Sequence, residues 1–471
     1  MPVEFEDGLA EDLQSDRLVR LSWIKMTLSS SRTYLCRCAA SLFCALAAFA
    51  QKPPQSLHPT IEKVTAGVSE ERVGAILKKL ESFETRDSNG LVAGPGRGVV
   101  AAREWIAAEF RSYSPRLAVR FDGYPAKKGA RIVRDTEIVN VVAVLPGKIH
   151  PEVHVLVGGH YDTMHMKLKG TALDPEATAA AERSPGVSDN ASGTACVMEL
   201  ARVMSQYEFD KTIVFIAFAG EEQGLLGATG YAKKATEMKE TVEALLNVDT
   251  IGTNVTGNGI QAGQRVNVYS GDPMDSPSRS LARYMREVSE RYLPELSINA
   301  VFRADRFGRG GDHTPFHTEG FAAVRVTTPA EQLENQHNEK DTLDRVSIPY
   351  TTLVTRGVGA TLASLALAPR PPVLSTPGRG ASRYDAAMKW KSPETEPDLA
   401  GYTVLLRTTT APFWEREIFV GQREEFTLKN VSIDEVVLGV RAVDVDGVAG
   451  LVSTASGPGR RLPTAAPATG R

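Results

Sequence analysis

The chain contains few cysteines, and their positions leave little scope for disulfide bonds. It has four in 471 residues, and Cys36, Cys38 and Cys44 all fall within an apolar N-terminal segment. Cys196 is therefore alone in the body of the chain, and a single cysteine cannot form an internal disulfide. We expect it to be a buried, inert thiol. The fold must then depend on a packed core, on metal ions or on both.

A strong net charge and long apolar runs are also missing. The formal net charge is -3 at pH 7, which gives no reason to expect nucleic acid or an anionic membrane as a partner. No period of roughly 20–50 residues repeats, so the chain is not a solenoid or a propeller. Beyond residue 50 no stretch is long and apolar enough to predict a membrane span. The length of 471 residues predicts two or three domains.

The segment 26–50 has the layout of a secretory signal. Two arginines, Arg32 and Arg37, precede a short apolar run at 39–49. Ala48-Phe49-Ala50 fits the A-x-A pattern of a cleavage site. Residues 1–25 are acidic, which is unusual for a leader and favours Met26 as the true start. We therefore predict a secreted or periplasmic protein. The alternative is a disordered tail that carries an isolated apolar patch.

The middle of the chain alternates short apolar strands with amphipathic helices, after a helical region at 59–113. Runs such as 213–218 are apolar throughout, which is typical of a strand buried on both faces. We therefore predict an α/β fold with a mostly parallel central sheet flanked by helices, in which ligands gather at the carboxyl ends of the strands. The predicted strands are 138–145, 154–158, 212–219, 244–248, 266–269 and 322–326, and the predicted helices are 191–206, 225–234, 278–292 and 350–367.

The sequence pattern changes after a proline-rich segment at 369–372. Short alternating strands with turn signals between them predict a C-terminal all-β sandwich. It resembles a fibronectin type III domain with Trp390 in its core, although the tyrosine often found on a late strand is missing. The predicted strands are 388–391, 402–406, 417–420, 425–428 and 436–443.

Five clusters of acidic residues and histidines lie where predicted strands end or helices begin. Each alone is weak evidence, because a histidine or aspartate there is usually a cap or a solvated side chain. Histidine with carboxylates and no thiolate is the ligand set of a catalytic zinc site rather than a structural one. The clusters are G-G-H-Y-D at 158–162, G-V-S-D-N-A-S-G at 186–193, A-G-E-E-Q-G-L-L-G at 219–227, N-V-D at 247–249 and E-N-Q-H-N-E-K-D-T at 334–342.

Taken together, these motifs resemble the co-catalytic dizinc aminopeptidases, whose relatives include bacterial leucyl aminopeptidases, aminopeptidase Y and glutamate carboxypeptidases. The resemblance covers roughly residues 70–365. It implies two Zn²⁺ ions per chain, a set of metal ligands and a general base. These are His160 and Asp249 for one zinc, Glu222 and His337 for the other, Asp189 as the bridge between them, and Glu221 as the base.

Three more residues are expected beside the metals. Asp162 is expected to accept a hydrogen bond from the far nitrogen of His160. His313 lies in G-G-D-H-T-P-F at 310–316, which resembles the family's S-D-H-x-x-F and predicts a residue that supports the ligands or lines the pocket rather than a ligand. Gln336 stands where many relatives have a tyrosine that helps to stabilise the oxyanion, which leaves that role to the metals, to Gln336 or to His313.

The predicted reaction is the removal of N-terminal residues from peptides by a dizinc-bound hydroxide, with Glu221 as general base. One alternative is a carboxypeptidase of the same family acting on acidic peptides, for which Arg303, Arg306 and Arg309 could hold a carboxylate. Another is a non-catalytic, metal-bearing binding protein whose binding function lies in the sandwich. A glutaminyl cyclase is less favoured, because such relatives work with one zinc.

The predicted organisation has four parts. Peptides are the expected partners, and the sandwich is expected to attach the enzyme to a polymer, a cell surface or another protein. No predicted ligand lies in the sandwich, so we expect hydrolysis not to depend on it. The parts are a leader at 1–50, a dizinc peptidase domain at 51–368, a fibronectin type III-like sandwich at 373–456 and a disordered tail at 457–471.

Overall fold

The structure, a computed structural model, describes residues 56–454 apart from 376, 381–383 and 393–395. The predicted leader, its three cysteines and the predicted disordered tail lie outside the described residues, so they stay predictions. Cys196 lies inside them and is buried, and burial raises the pKa of its thiol to about 12. Among the described residues, no helix has the length and apolar character needed to cross a membrane.

The predicted helices form, with ends within a few residues of those expected. Serine caps explain several starts: the hydroxyls of Ser69, Ser276 and Ser347 each accept a backbone N–H of the first turn, and a proline opens two of these helices. The helices are α1 (Pro59–Gly67), α2 (Glu70–Glu81), α3 (Gly98–Tyr113), α4 (Pro175–Ala179), α5 (Ser192–Met204), α6 (Leu226–Glu237), α7 (Pro277–Tyr292), α8 (His313–Thr318) and α9 (Ile348–Leu367).

A mixed eight-stranded sheet carries the α/β region, in the order β1-β2-β6-β3-β7-β10-β8-β9. Its centre, β6-β3-β7-β10, is parallel throughout, which confirms the predicted fold class. A separate small hairpin, β4-β5, lies outside this sheet. The strands are β1 (Ala118–Ala126), β2 (Thr136–Leu145), β3 (His150–His160), β4 (Leu168–Lys169), β5 (Ala172–Leu173), β6 (Lys211–Phe218), β7 (Thr241–Val248), β8 (Arg265–Ser270), β9 (Ser297–Val301) and β10 (Ala323–Thr327).

The two edge strands of this sheet, β1 and β9, were not predicted. Both are half-exposed and polar in part, and β1 also contains Gly123 and Pro125, which weaken a strand pattern. Each pairs on one side only, β1 with β2 and β9 with β8. The sequence signal for a strand comes mainly from burial, so it fades at the edges.

The core lies on both faces of the sheet. Val155 and Val157 of β3 pack into the larger cluster, with side chains from α5 and α9 among others. Leu156, which points the opposite way, packs into a second cluster with residues of α6 and α8. All eight residues of β6 are buried, as its uninterrupted apolar run predicted.

The C-terminal region is a β-sandwich, as predicted. One antiparallel sheet contains β11, β13, β12 and β16, and the other has the order β15-β14-β17-β18. Trp390 is 1% exposed in a core built from both sheets. The fibronectin type III resemblance stays a prediction. The strands are β11 (Val373–Leu374), β12 (Gly378–Arg379), β13 (Ala386–Lys391), β14 (Leu399–Thr408), β15 (Arg416–Gly421), β16 (Glu425–Leu428), β17 (Val436–Asp444) and β18 (Ser453–Thr454).

The packing of α5 on β7 permits no side chain at Gly193. A Cβ there would lie 2.1 Å from the carbonyl oxygen of Val248 and 2.6 Å from the side-chain atoms of Asn190. We expect Gly193→Ala to lower the free energy of unfolding by about 1–3 kcal/mol or more, as overpacking does. Gly94→Ala is the matched control, because its Cβ meets nothing within 4 Å. Thermal denaturation of both variants checks this, and equal melting temperatures would refute the close approach.

Candidate metal centre

The carboxyl ends of the central parallel strands bring the predicted ligands together. His160 ends β3, Glu221 and Glu222 follow β6, and Asp249 follows β7 directly. These strands are neighbours in the sheet, with β3 between β6 and β7. The loop after β10 brings His337 to the same place. The five clusters of the sequence therefore meet at one edge, where α/β sheets generally bind ligands.

The orientation of His160 is set by the chain just after it. Its Nδ1 lies 3.1 Å from the carbonyl oxygen of Asp162. A carbonyl only accepts, so Nδ1 carries the proton and Nε2 is left as a metal-binding nitrogen. We expected the carboxylate of Asp162 to be the acceptor, but its Oδ1 is 3.7 Å away. That carboxylate instead accepts the backbone N–H groups of Glu221 and Glu222, each at 3.3 Å.

Asp189 lies in a tight turn, Val187–Ala191, that precedes α5. Gly186 opens the turn with φ 52°, a left-handed conformation that glycine adopts without strain. Asp341 holds the turn from outside, because its carboxylate accepts the backbone N–H groups of Ser188 at 2.8 Å and Asp189 at 2.9 Å. The Asp189 carboxylate is thereby fixed between the two histidines.

The geometry of Asp189 divides the cluster into two halves. Its Oδ1 lies 3.3 Å from Nε2 of His160, which is itself 3.6 Å from Oδ1 of Asp249. Its Oδ2 lies 3.3 Å from Nε2 of His337, which is 3.2 Å from Oε1 of Glu222. Each half thus combines one imidazole, one carboxylate and one oxygen of the shared aspartate.

The donor set fits zinc. The ligand atoms of His160, Asp189 and Glu222 lie within 4.8 Å of one another, and so do those of His160, Glu221 and Asp249. All donors are imidazole nitrogens and carboxylate oxygens, as in catalytic zinc sites. Oε1 of Glu222 is buried, with Nε2 of His337 at 3.2 Å, and burying a carboxylate oxygen is costly unless a cation compensates it. Glu221, which the sequence predicts to be the base, is thus also close enough to be a ligand.

The electrostatics of the cluster reflect its crowded carboxylates. The negative charge of Glu222, with hydrogen bonds to carboxylates, raises the pKa of His337 to about 11. Burial opposes the ionised form of Asp189, but its two histidine partners outweigh burial and hold its pKa well below the usual range. Burial and the neighbouring carboxylates, Glu222 first, raise the pKa of Glu221 well above its usual value. A raised pKa suits a group that must accept and return a proton near neutral pH.

Arg325 compensates the negative charge of one of these carboxylates, that of Asp249. Its guanidinium is buried in β10, with Nη2 3.2 Å from Oδ2 of Asp249 and Nη1 3.3 Å from Oδ2 of Asp305. Burial alone would raise the pKa of Asp249, but Arg325 and His160 lower it. No sequence motif indicates this role of Arg325, because an arginine inside an apolar strand has no motif of its own.

An open cavity of about 690 Å³ lies over the cluster. The predicted residue Gln336 lines it and donates from Nε2 to Glu331 at 3.1 Å. Its apolar lining residues include Met164, Met166 and Leu333. Four arginines line it as well, namely Arg131, Arg306, Arg309 and Arg325.

His313 is not among the metal-binding groups. It is fully buried, and its Nε2 donates to the carbonyl oxygen of Ala304 at 2.8 Å. Burial lowers the pKa of His313 to about 4, so the imidazole is neutral. Its neighbour Asp312 is also fully buried, with no hydrogen-bond partner at either carboxylate oxygen. The motif predicts a role for its histidine and none for its aspartate, yet Asp312 lies close enough to Glu221 to raise the pKa of that carboxyl.

Arg86 is another residue that the sequence did not reveal. It is fully buried and donates to four backbone carbonyls, among them Tyr161 at 2.6 Å and Gly186 at 2.9 Å. The other two acceptors are Leu80 and Pro185. One guanidinium therefore ties the loop after His160 to the turn that holds Asp189. The only sequence signal was a polar run, T-R-D-S-N-G at 85–90, between two helices.

Comparisons with known proteins agree with this site. A model of peptidase family M28 matches residues 140–361. A probable zinc metalloprotease of Leptosphaeria maculans is 33% identical over 425 residues, which cover 84% of this chain and 95% of the relative. A probable zinc metalloprotease of Pyricularia oryzae is 32% identical, over 84% of each chain. The crystal structure of the Legionella pneumophila LapA aminopeptidase shares the fold, with a TM-score of 0.51 and 19% identity over 67% of this chain and 77% of that one.

The fold, the donor set and the curated relatives together define a zinc metallopeptidase, an enzyme that hydrolyses peptide bonds. The chain belongs to peptidase family M28.

Zinc binding to the metal-free protein should release protons. The pKa of His337 near 11 means that its imidazole is protonated at neutral pH, and zinc binds only the neutral form. The apparent affinity should therefore rise between about pH 6 and 8, by up to about tenfold per pH unit for each proton displaced. Calorimetry in two buffers of different ionisation enthalpy counts the protons.

His337→Ala should release about one proton fewer, because that imidazole is removed. His154→Ala is the control, since this half-buried histidine lies on β3 six residues before His160 and pairs with Glu240. A zinc affinity that does not change with pH, after correction for the competing chelator, would contradict the charge state assigned to His337.

Proposed function

We propose that the protein is an aminopeptidase that uses two zinc ions to remove N-terminal residues from peptides. Asp189 carries this proposal, because its two carboxylate oxygens face two different histidines, His160 and His337, at 3.3 Å each. A carboxylate that offers one oxygen to each of two metals is the usual bridge in co-catalytic sites. Asp249 would complete one half-site and Glu222 the other.

The residues around the cluster support a hydrolytic role. Zinc, when bound, lowers the pKa of water and polarises a carbonyl group. Glu221 lines the cavity beside the ligands, and its raised pKa suits it to take the proton from the attacking water and to pass it to the leaving amine. The backbone N–H groups of Glu221 and Glu222 both donate to the Asp162 carboxylate, which holds the backbone that carries these two side chains.

A free α-amine is the expected substrate feature, and the arginines weigh against a free carboxylate. Nη1 of Arg306 donates to both carboxylate oxygens of Glu331, each at 3.1 Å, so this guanidinium is already paired. Arg303 lies over the ring of Phe307 at 4.3 Å and is not among the residues that line the cavity. Of the three arginines that suggested a carboxypeptidase, only Arg309 is exposed at the cavity. The aminopeptidase LapA shares the fold, which supports the proposal by analogy.

A substrate panel tests the terminus that is recognised. Leucyl-4-nitroanilide should be hydrolysed and its N-acetylated form should not, while amidation of a peptide's C-terminus should leave the rate almost unchanged. Metal analysis of the active protein should give close to two zinc ions per chain, and chelation should abolish activity. Hydrolysis of the acetylated compound, or full activity with one zinc and no second binding event at saturating metal, would reject the proposal.

The neighbours Glu221 and Glu222 should behave differently when each is changed to glutamine. Glu221→Gln should keep both zinc ions and lower kcat by about 10²–10⁴-fold, the usual scale for losing a general base. Its KM should change little, because the residue handles a proton and does not anchor the substrate. Glu222→Gln should lose zinc and thermal stability together with activity, because it removes an anionic ligand.

Kinetics with zinc analysis on the same preparations separate these roles. Glu334→Gln is the control, since Glu334 belongs to the loop of His337 but not to the residues that line the cavity. If Glu221→Gln loses zinc while Glu222→Gln keeps it, the base and the ligand must be exchanged. If neither changes the rate, the catalytic site lies elsewhere.

A further inference from the structure

The C-terminal sandwich packs against α7 of the α/β region. Arg441 of β17 is buried, and its Nη1 donates to both carboxylate oxygens of Glu287 in α7, at 2.7 and 2.9 Å. Tyr284, on the same helix, donates its hydroxyl to the carbonyl oxygen of Ala449 at 2.8 Å. The contact between Arg441 and Glu287 is charge-assisted, and such hydrogen bonds are stronger than those between neutral groups. The interface is therefore more than a flexible tether.

One loop of the sandwich, between β14 and β15, reaches beyond α7. The carbonyl oxygen of Pro412 accepts a hydrogen bond from Nε of Arg283 at 2.7 Å. The ring of Phe413 lies 6.0 Å from that of Phe302, centroid to centroid, at an angle of 51°. The guanidinium of Arg286 lies 3.9 Å from the centre of the Phe413 ring. Rings and guanidinium groups thus alternate across the interface.

Phe302 is held from the other side by α7. The guanidinium of Arg283 lies 4.7 Å from the ring centre and that of Arg279 lies 5.7 Å from it. Arg279 also donates from Nη2 to the carbonyl oxygen of Phe302 at 2.9 Å. Both arginines are buried, and contacts between a cation and a ring are strongest when water is excluded.

Phe302 begins a segment that contributes four residues to the lining of the cavity, here named the wall loop (residues 302–310). Three residues after Phe302, Asp305 pairs with Arg325, which in turn pairs with the ligand Asp249. The next residue, Arg306, pairs with Glu331. The wall-loop residues that line the cavity are Arg306, Gly308, Arg309 and Gly310. The wall loop is therefore fixed to the metal centre at one end and to the sandwich at the other.

We propose that Phe413 is a positioning residue for the wall loop, and that the C-terminal sandwich thereby sets how tightly peptides bind. The statement about peptides rests on the proposed aminopeptidase function. The sandwich is then part of the catalytic unit, in contrast to the attachment module expected from the sequence. Phe413 touches neither the cavity nor the metal ligands, so it acts only through Phe302 and the residues that follow.

The test uses Phe413→Ala in the full-length protein. We expect the KM of leucyl-4-nitroanilide and of trileucine to rise by about three- to tenfold, the size expected for losing one ring contact. The kcat should stay within about twofold and the zinc content should not change, because no ligand is touched. Amide hydrogen exchange across residues 302–310 should become faster.

Two further variants and one control keep the test decisive. Phe413→Tyr keeps the ring and should restore the wild-type KM and exchange. Arg286→Gln removes the cation over Phe413, and it should raise KM and speed up amide exchange across 302–310 by a smaller factor. This variant carries the test if Phe413→Ala does not fold. Tyr284→Phe removes another contact of the same interface, the hydrogen bond to Ala449, and should leave the wall loop as it is.

Unchanged exchange across 302–310 in Phe413→Ala would overturn the proposal, and so would faster exchange with an unchanged KM. An equal effect of Tyr284→Phe would show general loosening of the interface and would also overturn it. A wild-type protein that hydrolyses neither substrate would refute the aminopeptidase, while the exchange measurement would still show whether Phe413 holds the wall loop.

Discussion

Repulsion among carboxylates buried at one edge of a sheet is the constraint on which this structure depends. Asp189, Glu221, Glu222 and Asp249 converge there, and burying one unpaired carboxylate is already costly. The protein offsets part of that cost with its own groups, Arg325 against Asp249 and the two histidines against Asp189. A divalent cation offsets the rest. The same crowding that makes the metal-free site unfavourable provides the affinity for zinc.

Both the sheet and the meeting of the candidate ligands could be predicted where their signals are local. A buried central strand such as β6 contains a continuous apolar run, and a candidate ligand such as Asp249 directly follows its strand. The supporting residues could not be predicted, because their roles depend on distant parts of the chain. The acceptors of Arg86 include carbonyls 75 and 100 residues away, and Asp341 holds a turn 152 residues before it. No pattern within a window of sequence records such contacts.

The interface of the sandwich was hidden for a related reason. In sequence, α7 is a charged helix with arginines at 279, 283, 286 and 291, a composition typical of a solvated surface. In the structure, Arg279 and Arg283 are buried between rings and carbonyl oxygens. A guanidinium can be buried in this way because its planar face stacks on a ring while its edge donates hydrogen bonds. The composition of α7 therefore does not indicate that the sandwich packs against it.

The loop after β10 contributes two side chains to the site, and they lie four residues apart in the sequence. His337 reaches the cluster as a donor, and Asp341 clamps the backbone of the turn that carries Asp189. A shift of this one segment displaces a terminal donor and the shared aspartate at the same time. The two halves of the centre therefore cannot be remodelled one by one during evolution or design. An insertion between positions 337 and 341 would dismantle both halves, whereas one before residue 331 leaves their spacing intact.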